Sequence, residues 1–256
     1  MNNSLKFYKY QGTGNDFIMI DNRNEIFPIS QTYIEHLCHR RFGIGADGLI
    51  LLQNDPEYDF RMVYFNADGR EGSMCGNGGR CTVRFAEDLG IFKHETKFIA
   101  VDGKHTAQAN KEVISLKMGE VLSLERHTEY DFMNTGSPHY VTYATDIEVV
   151  DVFSEGRKVR NSEEWVKRGG TNVNFVQVID NETIYVRTYE RGVEDETYSC
   201  GTGVTASALS TNLRFGMKSP IKVITKGGNL QVSFEDNFQN IHLIGPAIRV
   251  FEGILG

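Results

Sequence analysis

The feature that most constrains this chain is the stretch 72–84, GSMCGNGGRCTVR, because a second stretch far downstream, 198–206, YSCGTGVTA, repeats its plan. Each places a cysteine, Cys75 or Cys200, before a Gly-x-Gly run, and a helix-like segment follows in each. A cysteine at the mouth of a glycine turn that opens a helix sits near unpaired backbone N–H groups and the positive end of the helix dipole. That setting favours thiolate over thiol. The order downstream repeats as well: helix, strand, glycine turn, strand, strand. A repeat this long implies two pseudo-symmetric domains rather than a solenoid. The expected division is 1–119, carrying Cys75, and 120–249, carrying Cys200, with the tail 250–256 free to return to the first domain.

Apolar patterning and turn residues give the expected elements. Strands over 5–10 and 17–21 flank the turn Gly12-Thr13-Gly14. Ser30 caps a helix to about Arg41, ended by Gly43. Strands over 49–53 and 60–65 come next, then a helix over 77–89 closed by Gly90, then strands over 97–101, 106–109 and 113–118. The second half offers a strand ending at Tyr143, a short helix over 162–167 and strands over 174–179 and 184–189. A helix over 202–214 with Gly216 beyond it follows, then strands over 221–225, 230–234 and 241–244. Val83, Phe85 and Ala86, like Ala206, Ala208, Leu209 and Leu213, leave the two long helices little polar face, and such helices are buried. The expected class is α+β: two domains, each a mixed, strand-rich, barrel-like sheet wrapped around a central helix, with the active site in the cleft between them. A doubly wound parallel sheet needs more crossover helices than this sequence contains.

A length of 256 residues is enough for two cores. The net charge of -7, with no basic stripe, argues against a nucleic-acid partner. No apolar run reaches the roughly 18 to 20 residues of a membrane span. The start, MNNSLKFYKY, alternates like a strand and lacks a charged-then-apolar leader, so a cytoplasmic location is expected. Four cysteines without a secretion signal are expected to be reduced. There is no C-x-x-C pair, and on a helix His36 and His39 share a face that Cys38 does not, so no metal is expected. Cys38 and Cys81 read as small buried apolar side chains.

Two thiols at two helix N-termini can do specific chemistry. Placed on opposite faces of a small molecule, one as thiolate removes a proton while the other, as thiol, delivers one, and a stereocentre inverts. The N–H groups at Gly76, Asn77, Gly201 and Thr202 are suited to a carboxylate and to the charge that spreads onto it when the α-proton leaves. Other readings stay open on the residues alone. A cysteine before Gly-x-Gly is often a turn residue, glycine loops also cradle anions in non-catalytic binding proteins, and two facing thiols can form a redox disulfide.

The segments QGTGNDF (11–17), GIGADG (43–48), FNADGREGSMCGNGGRC (65–81), GSPH (136–139), YERG (189–192) and SCGTG (199–203) together resemble diaminopimelate epimerase, in that family's order and over most of the chain. The resemblance implies a cofactor-independent isomerase that interconverts LL- and meso-2,6-diaminopimelate in lysine and peptidoglycan precursor synthesis, usually as a homodimer. It implies that Cys75 and Cys200 are the acid/base thiols and that Gly76, Asn77, Gly201 and Thr202 hold the carboxylate at the reacting centre. Asn15, Asn66, Asn172 and Arg191 match positions that hold the distal amino-acid end. His139 and Glu190 match polar residues beside the thiols. Two departures stand out, Ser137 where many members have Asn and Gly48 where some have Gln. The runner-up activity is a related cofactor-independent racemase of another amino acid such as proline or hydroxyproline; Arg191 favours a substrate with a second charged end.

Overall fold

In the computed structural model, which describes residues 5–72, 74–111, 113–121 and 123–255, the alternating start of the chain becomes a hairpin. Its strands β1 (Leu5–Gly12) and β2 (Asn15–Asp21) join through Thr13 and Gly14, both at positive φ. Helix α1 (Gln31–Cys38), β3 (Gly48–Gln53), β4 (Phe60–Asn66), α2 (Gly76–Asp88), β5 (Glu95–Ala100), β6 (Gly103–Ala109) and β7 (Ile114–Lys117) follow. Next come β8 (Ser123–Arg126), β9 (Tyr130–Asn134), β10 (Pro138–Tyr143), α3 (Val152–Arg160), α4 (Glu163–Lys167), β11 (Asn172–Val178), β12 (Thr183–Glu190) and β13 (Asp195–Thr197). Helix α5 (Gly201–Phe215), β14 (Ile221–Thr225), β15 (Gly228–Glu235), β16 (Gln239–Gly245) and β17 (Ile248–Leu255) complete the chain. The fold is α+β, and the residues separate into two units, Met1–Leu116 with Pro246–Gly256, and Lys117–Gly245.

The two units share one pairing plan. In the first, β1 to β7 pair in succession as antiparallel, parallel, antiparallel, parallel, antiparallel, antiparallel. In the second, β9, β10, β11, β12, β14, β15 and β16 give the same series. The first strand of each series gains an antiparallel neighbour from elsewhere in the chain, β17 on β1 and β8 on β9. The tail of the chain therefore plays in the first unit the part that β8 plays in the second.

A helix fills each curl. α2 packs on β1, β2, β3, β4, β6 and β17, and α5 on β9, β10, β11, β12, β14 and β15. Both are buried almost all round, but not by apolar residues alone: Arg80 and Thr82, and Thr205, Ser207, Ser210 and Thr211, lie inside with Val83, Phe85 and Leu209. The threonine hydroxyls are accommodated because they bond one turn back, and Ser210 donates to Asp131 at 2.6 Å. Thr82 donates to the Gly78 carbonyl (2.8 Å), Thr205 to Gly201 (2.9 Å) and Thr211 to Ser207 (2.8 Å).

Outer helices cover the far face of each sheet. α1 closes a cluster of Ile18, Ile20, Ile34, Leu37, Leu49 and Leu51, so β2 and β3 are buried on both faces and read as continuous apolar runs. α1 ends at Cys38, three residues short of Arg41: the His39 imidazole accepts the N–H groups of Arg41 and Phe42, and the Leu37 carbonyl accepts those of Ile44 and Gly45. On the second unit α3, for which the sequence offered no clear pattern, covers β11 and β12. Its Gly156 is pressed so close to Tyr189 that a Cβ would lie 2.4 Å from that residue's own.

Candidate active site

At the start of α2, Cys75 is the N-cap residue, with extended backbone, and its Sγ accepts the Gly78 N–H at 3.2 Å. The hairpin turn places Asn15 beside it. Asn15 Oδ1 is 3.9 Å from Cys75 Sγ and accepts from Asn77 Nδ2 at 3.5 Å, while Asn15 Nδ2 donates to Asp47 at 2.6 Å. Asp47 and Asp16 share Arg40, and Asp16 also meets the buried Lys9 at 2.7 Å. Burial pushes the Asp16 carboxyl up, but the bonds from Arg40 and Lys9 prevail and hold it at about 2. Asn15 thus rests on a network of ion pairs.

Asn66 lies exposed at the end of β4, where the turn is closed by its N–H on the Arg70 carbonyl (2.9 Å). Gly72 lets the loop towards Cys75 pass by, since a Cβ there would sit 2.8 Å from Asn66 Nδ2. Gly48 is equally constrained: a Cβ would fall 2.5 Å from the Tyr64 ring, so this chain has no room for a longer residue there. The first unit thereby brings Cys75, Gly76, Asn77 and Asn15 into one hydrogen-bonded group, with Asn66 on the loop leading to it.

In the second unit Cys200 caps α5 without a side-chain cap bond and is buried. Its Sγ is 3.5 Å from Thr202 Oγ1, which is 2.9 Å from His139 Nε2. The direction of these bonds can be worked out. Asn174 Nδ2 donates to the Tyr140 carbonyl (3.0 Å) and Asn174 Oδ1 accepts from Thr188 (3.0 Å), which orients the amide. The same Nδ2 lies 3.1 Å from His139 Nδ1, so that nitrogen is the acceptor and the ring proton sits on Nε2. Nε2 then donates to Thr202, whose own hydroxyl proton is left for Cys200 Sγ. Burial, together with the Arg191 charge, lowers His139 to about 3, so the imidazole is neutral at physiological pH.

Asn172 pairs with His139 across β10 and β11, and all of its amide is engaged within the chain. Oδ1 accepts the Arg191 N–H (2.9 Å), and Nδ2 donates to the Pro138 carbonyl (2.9 Å) and to Ser137 Oγ (3.0 Å). The shorter Ser137 therefore serves as an acceptor for Asn172. Arg191 is an exposed residue and donates to the Gly169 carbonyl at 3.0 Å. Glu190, half-buried, ends β12 beside it. The second unit thus links Cys200, Thr202 and His139 in one chain of bonds, and Asn172 with Arg191 in another. A surface hollow of about 540 Å³ near Asp180, Phe215 and Pro220 shares no residue with either.

Several residues around these groups escaped sequence reasoning, among them Asp47, Asn174 and Arg80, whose Nη2 donates to Asn77 Oδ1 (3.1 Å) and Thr13 Oγ1 (3.2 Å). Two had a legible signal. Asn174 stands two residues after Asn172, hence on the same face of an otherwise apolar strand. Arg80 follows Cys75 by five residues, where Thr205 follows Cys200, a mismatch inside the repeat itself. Cys38 and Cys81 are buried, and burial raises their thiols to about 11 and about 12. Cys38, Cys75, Cys81 and Cys200 are all free of disulfides.

The family model described as diaminopimelate epimerase matches residues 7–123 and 132–250. A diaminopimelate epimerase of Flavobacterium psychrophilum is 53% identical, over 97% of this chain and 99% of its own length. One from Aquifex aeolicus is 40% identical over 98% of each. Among solved structures, a PhzF-family phenazine biosynthesis protein of Bacillus anthracis superimposes with a TM-score of 0.75 at 13% identity, covering 99% of both chains. A hydroxyproline epimerase of Agrobacterium vitis superimposes with a TM-score of 0.67 at 13% identity, covering 99% of this chain and 93% of that one. At such identities these two structures speak for the fold alone.

Proposed function

The chain belongs to the diaminopimelate epimerase family, and on that premise we propose that it interconverts LL- and meso-2,6-diaminopimelate, with Cys75 and Cys200 as the two acid/base thiols. The observation that carries the reading is the doubled device itself: each unit places a cysteine as the N-cap of its central helix, directly ahead of a Gly-x-Gly run that forms the first turn. One thiolate takes the α-proton and becomes a thiol. The electron pair left on carbon spreads into the carboxylate, where backbone N–H groups at Gly76, Asn77, Gly201 and Thr202 offset the charge. The other thiol gives its proton to the opposite face and becomes the thiolate. Proton count and charge balance, and the reverse reaction uses the same groups in exchanged roles. The carboxylate and the N–H groups around it take the electron pair that pyridoxal phosphate takes elsewhere, so the reading invokes no cofactor.

Arg191, an exposed residue, takes the distal carboxylate, for which its planar fork is suited. Asn15 and Asn66 complete that end, while Asn172 acts chiefly by holding the Arg191 backbone. His139, neutral and bonded on both nitrogens, holds Thr202 rather than carrying the α-proton, and Glu190 faces the substrate amino group. Family membership and the apolar, outward residues Ile248, Val250, Phe251 and Ile254 of β17 support a homodimer, which light scattering on the full chain tests; a monomer would overturn it. Among the described residues no helix is long and apolar enough to cross a membrane, and we place the enzyme in the cytoplasm, in lysine and peptidoglycan precursor synthesis.

The test is α-hydrogen exchange and inversion of LL- and meso-diaminopimelate in deuterated water without pyridoxal phosphate. Activity surviving in the double variant Cys75→Ala, Cys200→Ala would sink the two-thiol mechanism. Turnover of proline or hydroxyproline in place of diaminopimelate would overturn the substrate.

A further inference from the structure

Among the described residues Arg80 is the largest fully buried side chain, with no exposed surface. It projects from α2 back towards the N-terminus that Cys75 caps, and each acceptor it reaches is neutral. Nη1 donates to the Gly76 carbonyl (3.3 Å), Nη2 to Thr13 Oγ1 (3.2 Å) and Asn77 Oδ1 (3.1 Å), and Nε to the Pro246 carbonyl (3.5 Å). Among the described residues no carboxylate forms an ion pair with it. A buried guanidinium without a counter-charge is costly, so something must offset it. The surroundings are shaped to keep it. Thr13 holds φ 51, a conformation a β-branched residue avoids, and thereby presents its hydroxyl to the guanidinium. Gly12 leaves it space, since a Cβ there would lie 3.3 Å from Arg80 Nη2.

The charged and titratable groups around it are few. On its own helix are Cys75, the N-cap of the helix end that Arg80 reaches through Gly76 and Asn77, and the adjacent Cys81. Cys81 is held neutral by burial. From the hairpin comes Asp16, already matched by Lys9 and Arg40, and beyond Asn15 stands Asp47, also on Arg40. Cys75 is left as the anion for this cation. The second unit has nothing comparable at that place, since Thr205 spends its hydroxyl on the Gly201 carbonyl.

We propose that Arg80 is a positioning residue that holds Cys75 as the thiolate in the free enzyme, making the two acid/base thiols unequal before substrate arrives. Its bond to Asn77 Oδ1 also turns Nδ2 of that amide towards Asn15, so the same guanidinium orients the group beside the thiol. Burial lowers Arg80 itself only to about 10, so it remains a cation at neutral pH. This inference rests on Cys75 and Cys200 being the reacting thiols, but its test needs no turnover and so fails or succeeds separately from that reading.

The experiment is the pH dependence of iodoacetamide alkylation of the full chain, with Cys75 and Cys200 read separately by peptide mass spectrometry. In the native protein Cys75 is expected to reach its half-maximal rate at lower pH than Cys200. Arg80→Met should raise the Cys75 midpoint by about one pH unit or more, a rate about tenfold lower at neutral pH, and leave the Cys200 midpoint in place. Arg80→Lys, which keeps a cation, should keep the Cys75 midpoint low. A folded Arg80→Met variant with an unmoved Cys75 midpoint would overturn the proposal. So would a native Cys200 that titrates below Cys75, an outcome readable even if Arg80→Met does not fold.

Discussion

The N-termini of α2 and α5 occupy the same place in the same strand plan, yet their cysteines are served by different chemistry. Cys75 is half-buried, accepts a backbone N–H and shares its helix with a buried cation. Cys200 is buried, and the group aimed at it is a hydroxyl at the end of a neutral series from Asn174 through His139 to Thr202. A repeated backbone thus sets where a thiol stands and which N–H groups surround it. What polarises the thiol comes from side chains that differ between the repeats. On the proposed two-thiol mechanism the acid and base must be in opposite protonation states, and matched geometry with unmatched surroundings is a physically sensible arrangement for that.

Removing either thiol tests this comparison most severely. Cys75→Ala and Cys200→Ala should each lower epimerisation by about 10³-fold, since on the proposed mechanism each removes one of the two proton carriers. Steady-state assays from both substrate directions check this, and a single variant with near-native turnover would break the pairing of the two helix ends.

The outer faces differ in a way that predicts a smaller effect. α1 covers its sheet with Ile34 and Leu37, whereas α3 approaches Tyr189 through Gly156. Gly156→Ala should destabilise the chain by about 2 kcal/mol, because the gain in helix propensity is outweighed by overpacking. Urea denaturation measures it, and an unchanged or raised midpoint would show that the α3 contact gives way freely.

Per pH unit, the smallest effect concerns acid. His139 folds with its pKa at about 3, far below its ordinary value of 6.5, through burial and the Arg191 charge. Between those pH values the unfolded chain holds a proton that the folded chain lacks, so stability falls as pH drops through that window, by at most about 1.4 kcal/mol per pH unit. Comparing urea midpoints of the native chain and His139→Gln from neutral pH downwards isolates this share. If the two curves stay parallel, the neutral imidazole is not what makes the second unit acid-sensitive.

Much of the architecture was legible because it is written in local signals. Glycine turns, caps and apolar runs marked both central helices and most strands to within a few residues. β8, β9 and α3 were not legible: β8 is short and mostly exposed, β9 lies beside it, and α3 carries a glycine in its middle and charges around it. A return of the tail to the first domain was open to expectation, but its pairing with β1 was hidden, since a strand at the end of the chain gives no sign of which edge it will join. The cysteines, Asn15, Arg191 and His139 could be picked out from motifs, whereas Arg80 and Asn174 looked like ordinary helix and strand residues.

The sequence by itself determined the duplication, the class of fold and the two cysteines at the mouths of two helices, because turn chemistry, periodicity and capping act over a few residues at a time. Only the tertiary structure decided what surrounds those cysteines. Which side chain is buried without a counter-charge, which nitrogen of His139 holds its proton and which hydroxyl faces a sulfur all depend on residues distant in the chain. Such groups become neighbours only when strands pair and close around a helix, and excluding water there makes each of their charges and hydrogen bonds count.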